Sequence, residues 1–346
     1  MKVLAWPAID YIGPNPYTKL LYEEVRRSGH SVDNFSVANG LARRYDVFHL
    51  HWPEYYIAHR SRWKALAGTL LVFLLVYWQR FLGAKIFWTV HNLHSHDQTR
   101  PRLEALFWRL FSSSIHGYFC LTYQGMELAR DRWKALCSVP GFVVPHGHYV
   151  GEYTNDVDRP QARRRLGIPE TCKVLLFFGT IGRYKNVPAL ISCFQQAFQY
   201  DTFLIVAGKG NSHRETDSIH ALSAGDSRIR VDIRHIPHHE VQFYMRSADL
   251  VVLPFREILN SGSAILALSF GCRVLVPSVG AMSELHGMMG SDWVRLFDGE
   301  LTAEILRESL AWAISPRQTT MPPLKQLSWD RIASSTLNAY ASTIAR

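Results

Sequence analysis

Short apolar runs rich in Val, Ile, Leu and aromatic residues recur along the 346-residue chain, and most end in a cluster of Gly, Pro, Asn or His. Runs of this length bounded by turn residues predict buried strands. In the first half they fall at residues 3–6, 47–52, 85–90, 117–122 and 142–144. Helical spacing lies between them. Residues 17–28 put Leu20, Leu21 and Val25 on one face, carry Arg26 and Arg27 in the last turn and stop at Gly29; residues 103–111 make another helix. A polar stretch, 152–165, has the composition of a linker. The alternation then resumes, with strands predicted at 174–178, 203–207, 229–233, 248–253 and 274–276 and helices at 187–198, 239–246, 302–314 and 329–344. Strands alternating with helices predict parallel sheets covered by helices. The expected fold class is α/β, with one domain over 1–155, a second over 156–325 and a closing segment, 326–346. No fixed-period repeat or low-complexity tract interrupts the pattern.

Two stretches depart from it. Residues 254–271 follow a predicted strand with a polar turn, Asn260-Ser261-Gly262-Ser263, and then a helix carrying Ala264, Ala267 and Ser269. A strand, a Gly-containing turn and a closely packed helix offer backbone N–H groups to a phosphate. The same pattern also makes an ordinary strand-to-helix turn. Residues 66–78 carry no charge. As a helix they measure ~20 Å at 1.5 Å per residue, less than a bilayer core of roughly 30 Å. They read either as a core helix or as a segment pressed into one leaflet. Arg60, Arg62, Lys64 and Arg80 with Trp63 and Trp78 at the flanks favour the leaflet, so 60–82 is expected to associate with a membrane surface.

Composition adds three constraints. Hydrophobic content of 47% against 19% charged describes a globular chain. A net charge of +9 suits a phosphate-bearing partner, without choosing among nucleic acid, lipid head groups and nucleotides; no basic aromatic motif points to nucleic acid. The five Cys form no CxxC or zinc spacing, which is the usage of a reducing compartment and leaves no expected metal. Residues 1–7 read as a first strand rather than a secretion signal.

In open α/β sheets, ligands bind outside the carboxyl ends of the strands. The chemistry-bearing residues fall there. In the first domain they are Asp10, Gly13, His51, Glu54, His91, Asn92, His96, Asp97 and His146. In the second they are Gly179, Thr180, Arg183, Lys185, Gly208, Lys209, Arg256, Glu257, Ser261, Gly262, Ser263 and Glu284. Gly179 to Lys185 combines two glycines with Arg183 and Lys185 at a helix entry, a place for a diphosphate or a solvated basic loop; neither the P-loop spacing nor GxGxxG is present. His91, His94 and His96 lack a second ligand cluster for a metal. A His–Asp pair at a strand end instead fits a general base with its orienting group.

Taken together, Gly179…Lys185-Asn186, Val206-Ala207-Gly208-x-Gly210, Ala248-Asp249-x-x-Val252-x-Pro254, Ser261-Gly262-Ser263 and Gly271…Gly280…Glu284 resemble the donor-binding half of GT-B glycosyltransferases. Val47-Phe48-His49-Leu50-His51-Trp52-Pro53, Thr89-Val90-His91-Asn92-Leu93…His96-Asp97 and Pro145-His146-Gly147 are similar to the acceptor half of bacterial exopolysaccharide transferases. The resemblance implies two Rossmann-like domains facing a cleft, with the last helix returning to the first domain. Among these transferases the chain looks most like the xanthan-type β-mannosyltransferases. That implies GDP-mannose as donor, a polyprenyl-diphosphate-linked oligosaccharide as acceptor, and a peripheral or monotopic place on the cytoplasmic face of the bacterial inner membrane. Many retaining members carry two Glu eight apart; here those places fall near Ile258 and Leu266, and Glu257 faces Ile265 at the same spacing. This departure implies an inverting transferase with Asp97, His91 or Glu54 as base, Asp10, Gly13, His51, Asn92, His96 and His146 toward the acceptor, the second-domain residues toward the donor, and no metal. A retaining or UDP-sugar transferase and a non-catalytic nucleotide-sugar-binding subunit are the alternatives.

Overall fold

The computed structural model describes residues 1–9, 15–56, 61–93 and 101–345. Chain contacts divide it into two units, Met1–Gly147 with Gln326–Arg346, and His148–Lys325.

The first unit begins β1 (Lys2–Trp6), α1 (Tyr17–Arg27), β2 (Ser31–Asn34), α2 (Val37–Ala42) and β3 (Val47–Leu50), and goes on with α3 (Arg62–Phe81), β4 (Lys85–Val90), α4 (Pro101–Ser112), β5 (Gly117–Cys120), α5 (Tyr123–Arg132) and β6 (Gly141–Val143). Its strands form one parallel sheet in the order β2-β1-β3-β4-β5-β6. Every residue of β3 and β5 is buried, as a strand covered on both faces requires. β2 was not foreseen in the apolar pattern. It is an edge strand that buries Val32 alone, and one inward side chain makes no run.

The second unit holds α6 (Arg159–Arg165), β7 (Lys173–Phe178), α7 (Val187–Ala197), β8 (Thr202–Ala207), α8 (His213–Ser223), β9 (Ile229–Asp232), α9 (His238–Ser247), β10 (Leu250–Val252), α10 (Gly262–Ser269), β11 (Arg273–Pro277), α11 (Ala281–Met289), β12 (Val294–Phe297) and α12 (Ala303–Ile314). Its parallel sheet runs β12-β11-β10-β7-β8-β9. The stretch expected as a linker contains α6. Asp158 and Gln161 close a capping box there, and Arg163 is buried on the carbonyls of Ser247 and Cys172 and the Asp249 carboxylate. A polar composition disguised a helix whose single inward guanidinium is fully used.

The last helix, α13 (Trp329–Ile344), belongs to the first unit. Its Ile332, Ala333, Ala339 and Tyr340 join Tyr17, Leu21, Tyr22 and Val25 of α1 in one apolar core.

Strand order locates the ligand-binding edges. In the first sheet the chain turns back at β1, whose neighbours are β2 and β3; in the second it turns back at β7, between β8 and β10. Loops leaving the carboxyl ends at such switch points form crevices. In the first unit the described loop is the one after β3, with a 3₁₀ turn at Pro53–Tyr56. In the second they are the loops after β7 and β10.

Helix α3 is longer than the uncharged run foretold, 20 residues, because Arg62, Lys64 and Arg80 continue it at both ends. It covers the sheet with Ala65, Val72, Leu75 and Val76 and ties Gln79 to the carbonyls of Gly40 and Arg43. Its opposite face is apolar too. Trp63, Leu66, Leu70, Leu74, Tyr77 and Phe81 all point to solvent, the two ends being 81% and 80% exposed. Among the described residues no helix is long and apolar enough to cross a membrane.

Candidate active site

In the first unit, His49 and His51 sit two apart on β3 and its exit, so both project from the same face of the sheet. That face meets α1 and α13. Tyr22 Oη lies 2.9 Å from His49 Nδ1 and 2.7 Å from His51 Nε2; Tyr340 Oη lies 2.6 Å from His49 Nδ1; His49 Nε2 lies 2.8 Å from Thr89 Oγ1; His51 Nδ1 lies 3.1 Å from His91 Nε2. The result is a continuous buried chain from Thr89 to His91. Burial, reinforced by neighbouring imidazoles, pushes all three histidines well below the ordinary range, so they are neutral.

With neutral rings the chain has two consistent wirings. In one, Tyr22 donates to His51, His51 Nδ1–H donates to His91, and His91 keeps its proton on Nδ1. In the other, Tyr22 donates to His49 and accepts from His51, whose Nδ1 accepts from His91 Nε2–H, leaving His91 Nδ1 as an acceptor. His51 is 1% exposed with both nitrogens engaged, which places it behind His91. Trp52 stacks on His91 at 4.4 Å, and Tyr17 stands edge-on to it at 5.3 Å. His146, also in contact with Tyr17, is held to about 4 by burial, against a bond to the Gly147 carbonyl.

Glu54 lies in the 3₁₀ turn after β3. Its side chain is hydrogen-bonded to Asn92, while Oε2 is buried without a partner among the described residues. Burial first, and Glu104 of α4 beyond it, push the carboxyl up to about 7 against its own backbone and Asn92 bonds. That is the range of a general base at neutral pH. Asp10, Gly13, His96 and Asp97 lie outside the described residues.

In the second unit, β7 and β8 end in Gly179 and Gly208, both with φ +140°. A Cβ on Gly208 would lie 2.0 Å from the Gly179 carbonyl oxygen, and one on Gly179 would lie 2.5 Å from Ser263 Oγ. These glycines let two strand ends and the entry of α10 touch one another. Ser261 caps that helix by accepting from Ala264 N at 3.1 Å, so the N–H groups of Gly262 and Ser263 remain to face a ligand.

Lys185 is 8% exposed. Its Nζ stands 3.7 Å from the centre of the Phe255 ring and 5.0 Å from that of Tyr184, with no carboxylate beside it among the described residues. Burial lowers its pKa to about 7. A desolvated cation on aromatic faces without a counter-ion is a seat for an anion. Next to it, a groove of about 520 Å³ is lined by Arg183, Asn186, Arg214 and Arg256. Arg183 and Arg256, distant in sequence, are thus brought together. Thr180, Lys209 and Glu257 are exposed at the same edge, and Glu284 lies in the first turn of α11. Sequence reasoning missed Tyr22, His49, Glu104, Arg214 and Tyr340. The His-x-His alternation on β3 was the one available signal for His49; the others depend on contacts between distant elements.

Two outcomes follow from this geometry. Lys185→Met should raise the stability of the ligand-free protein by about 1–3 kcal/mol at pH 6–7, because it removes a buried uncompensated charge. A lysine whose folded pKa is depressed destabilises the fold fully below that pKa, so the gain should shrink between pH 7 and 10; thermal melts across pH measure it. Tyr22→Phe should cost about 1–3 kcal/mol by orphaning His51 Nε2, read from urea unfolding midpoints.

Comparison with known proteins completes the picture. A family profile described as "Glycosyl transferases group 1" matches residues 158–294. Over 338 residues the chain is 26% identical to the GDP-mannose:glycolipid 4-beta-D-mannosyltransferase of Xanthomonas campestris pv. campestris, covering 96% of this chain and 89% of that one. Among solved structures, sucrose-phosphate synthase from Thermosynechococcus elongatus superposes with a TM-score of 0.73 at 16% identity, over 99% of both chains. Anabaena HepE in complex with UDP-glucose does so at 0.65 and 14% identity, over 100% of this chain and 97% of that one. The chain is a glycosyltransferase of the GT-B fold, with its group 1 glycosyltransferase domain over residues 158–294.

Proposed function

We propose that this glycosyltransferase moves mannose from GDP-mannose onto a lipid-linked oligosaccharide, with inversion at the anomeric carbon and without a metal. The observation that carries the reading is the extent of the Xanthomonas similarity, which runs through both units. A donor domain alone is common to many transferases; similarity through the acceptor-side unit as well supports a glycolipid acceptor.

The proposed chemistry is a single displacement. The acceptor oxygen bonds to the anomeric carbon, the bond from that carbon to the diphosphate breaks, and the acceptor proton passes to Glu54. The charge released on the diphosphate is met by Lys185, Arg183 and the N–H groups of Gly262 and Ser263. Glu54 takes the role of base among the described candidates because one carboxylate oxygen is unpartnered and its pKa lies near 7. His91, neutral and fixed through His51, orients the acceptor; Asp97 stays the alternative base. Protein cations suffice to hold the diphosphate, so transfer is proposed to survive chelation. The enzyme works at a membrane surface, which the solvent-facing apolar stripe of α3 and its basic flanks, Arg62, Lys64 and Arg80, support. Extracellular polysaccharide assembly at the inner face of the bacterial membrane is the setting that fits such an acceptor.

Glu54→Gln should lower transfer from GDP-mannose by about 10²–10⁴-fold while leaving GDP binding by calorimetry unchanged, and the wild-type rate should rise as pH passes through about 7. Normal turnover in Glu54→Gln, with loss in Asp97→Asn, would reassign the base; GDP binding with no turnover on any lipid acceptor would mark a binding subunit. For the membrane, changing Leu70, Leu74 and Phe81 to Ser should release the protein from anionic vesicles in a flotation assay; continued binding would overturn that part.

A further inference from the structure

The two wirings of the histidine chain are not equivalent, and the reason lies in Tyr340 of α13. Two phenols press on one ring nitrogen: Tyr340 Oη lies 2.6 Å from His49 Nδ1, and Tyr22 Oη lies 2.9 Å from it. An imidazole nitrogen offers a single in-plane direction, holding either one N–H or one lone pair. Suppose His49 Nδ1 carries the proton. Both phenol oxygens then accept from it, and Thr89 Oγ1 donates to Nε2 at 2.8 Å. The Tyr340 proton passes to Tyr22, to which its side chain is bonded, and the Tyr22 proton passes to His51 Nε2 at 2.7 Å. Suppose instead that Nδ1 holds the lone pair. One phenol donates to it, and Tyr340 is the closer, so the Tyr22 proton again goes to His51. Only the second wiring has Tyr22 donate to His49. It would leave Tyr340 2.6 Å from a nitrogen whose one lone pair is already taken.

The consequence runs outward. A neutral His51 that accepts at Nε2 has its proton on Nδ1 and donates it to His91 Nε2 at 3.1 Å. A neutral His91 that accepts at Nε2 then keeps its own proton on Nδ1. His91 follows β4 and is partly exposed, whereas His49 and His51 are buried, so it is the end of the chain that solvent reaches. It also precedes Asn92, the hydrogen-bond partner of Glu54.

We propose that Tyr340 is a positioning residue of the transferase: through His49, Tyr22 and His51 it fixes His91 as the Nδ1–H tautomer, so that His91 donates a hydrogen bond to the acceptor substrate and does not take its proton. In that tautomer Nδ1 carries hydrogen and the Nε2 lone pair is engaged by His51, which leaves no lone pair for an incoming proton. The base is therefore a carboxylate. This rests on the reading that His91 orients the acceptor. It adds the direction of that bond and the residue that sets it.

The test uses the intact protein labelled with ¹⁵N-histidine, without donor or acceptor. His91 is identified among the sixteen histidines by its absence in His91→Gln. Long-range ¹H–¹⁵N spectra of the wild type should show His91 Nδ1 as a pyrrole-type nitrogen and Nε2 as a pyridine-type one. Tyr340→Phe keeps the ring and removes the hydroxyl, which opens the second wiring; the two His91 resonances should move toward each other as the tautomers approach about equal populations. With about half of the molecules competent, KM for a lipid-linked acceptor should rise about 2-fold at unchanged kcat. A His91 proton on Nε2 in the wild type would overturn the proposal, and this measurement stands whether or not the variant folds. So would an unchanged His91 tautomer in Tyr340→Phe whose other histidine resonances stay in place, or a shifted tautomer with unchanged acceptor KM. Because the tautomer is read without substrates, failure of the wild type to transfer to any lipid acceptor counts against the proposed function and not against the relay.

Discussion

In each unit a carboxyl or ammonium group is held out of water with no opposite charge beside it among the described residues, Glu54 in the first and Lys185 in the second. Glu54 is lifted and Lys185 lowered, both to about 7 and both mainly by burial. Desolvation is the expensive step in ionic recognition. Here it has been met in the fold, so a ligand that supplies the missing proton or counter-charge gains what the protein forgoes in stability. Parallel sheets make this affordable. Their strands are buried on both faces and store apolar contact, while their carboxyl ends open into loops where a strained charge disturbs little else.

The histidine chain follows the opposite rule. Thr89, His49, Tyr22, Tyr340, His51 and His91 are joined, and both ring nitrogens of His49 and of His51 have a hydrogen-bond partner. A fully satisfied buried network is rigid, since any rotation leaves a donor unpaired in a medium of low dielectric. It also draws on four elements, β3, β4, α1 and α13. The closing helix thereby acts on the orientation of a ring at the far end of the network, by way of one phenol. Neutral imidazoles are what such a network needs; a charged one would have no carboxylate to face.

What the sequence made legible is set by how local each signal is. The long apolar strands and their division between two parallel sheets could be read from periodicity, because strands buried on both faces announce themselves as runs; the strand order within each sheet could not. The edge strands β2 and β12 could not: Val32 alone is buried in one, and in the other Val294 and Phe297 flank a polar–apolar pair. Glycines at 179 and 208 were legible as special positions, but their reason was not. Gly179, with Gly182, read as room for a diphosphate; in the fold Gly179 and Gly208 first make room for each other and for Ser263. Lys185 was legible as a cation at a helix entry; its burial against Phe255 depends on a loop 70 residues away and could not be read from spacing. Glu104 looked like an ordinary acidic first-turn residue.

Helix α3 poses the remaining physical question, why one helix should be apolar on both sides. A helix covering a sheet needs a single apolar stripe, with a polar face toward water. In α3 the buried side carries the polar exceptions, Thr69 and Gln79, while the outer side from Trp63 to Phe81 is nearly free of polar groups. The charges gather instead at its ends. Such a distribution is unfavourable in water, where an exposed apolar patch of this size promotes aggregation. It becomes favourable when the helix lies flat in the head-group region, with arginine and lysine at the phosphates and the tryptophan at the boundary. Under the membrane reading proposed above, an acceptor that is itself anchored by a lipid meets the enzyme along this stripe, and the search for substrate is confined to two dimensions.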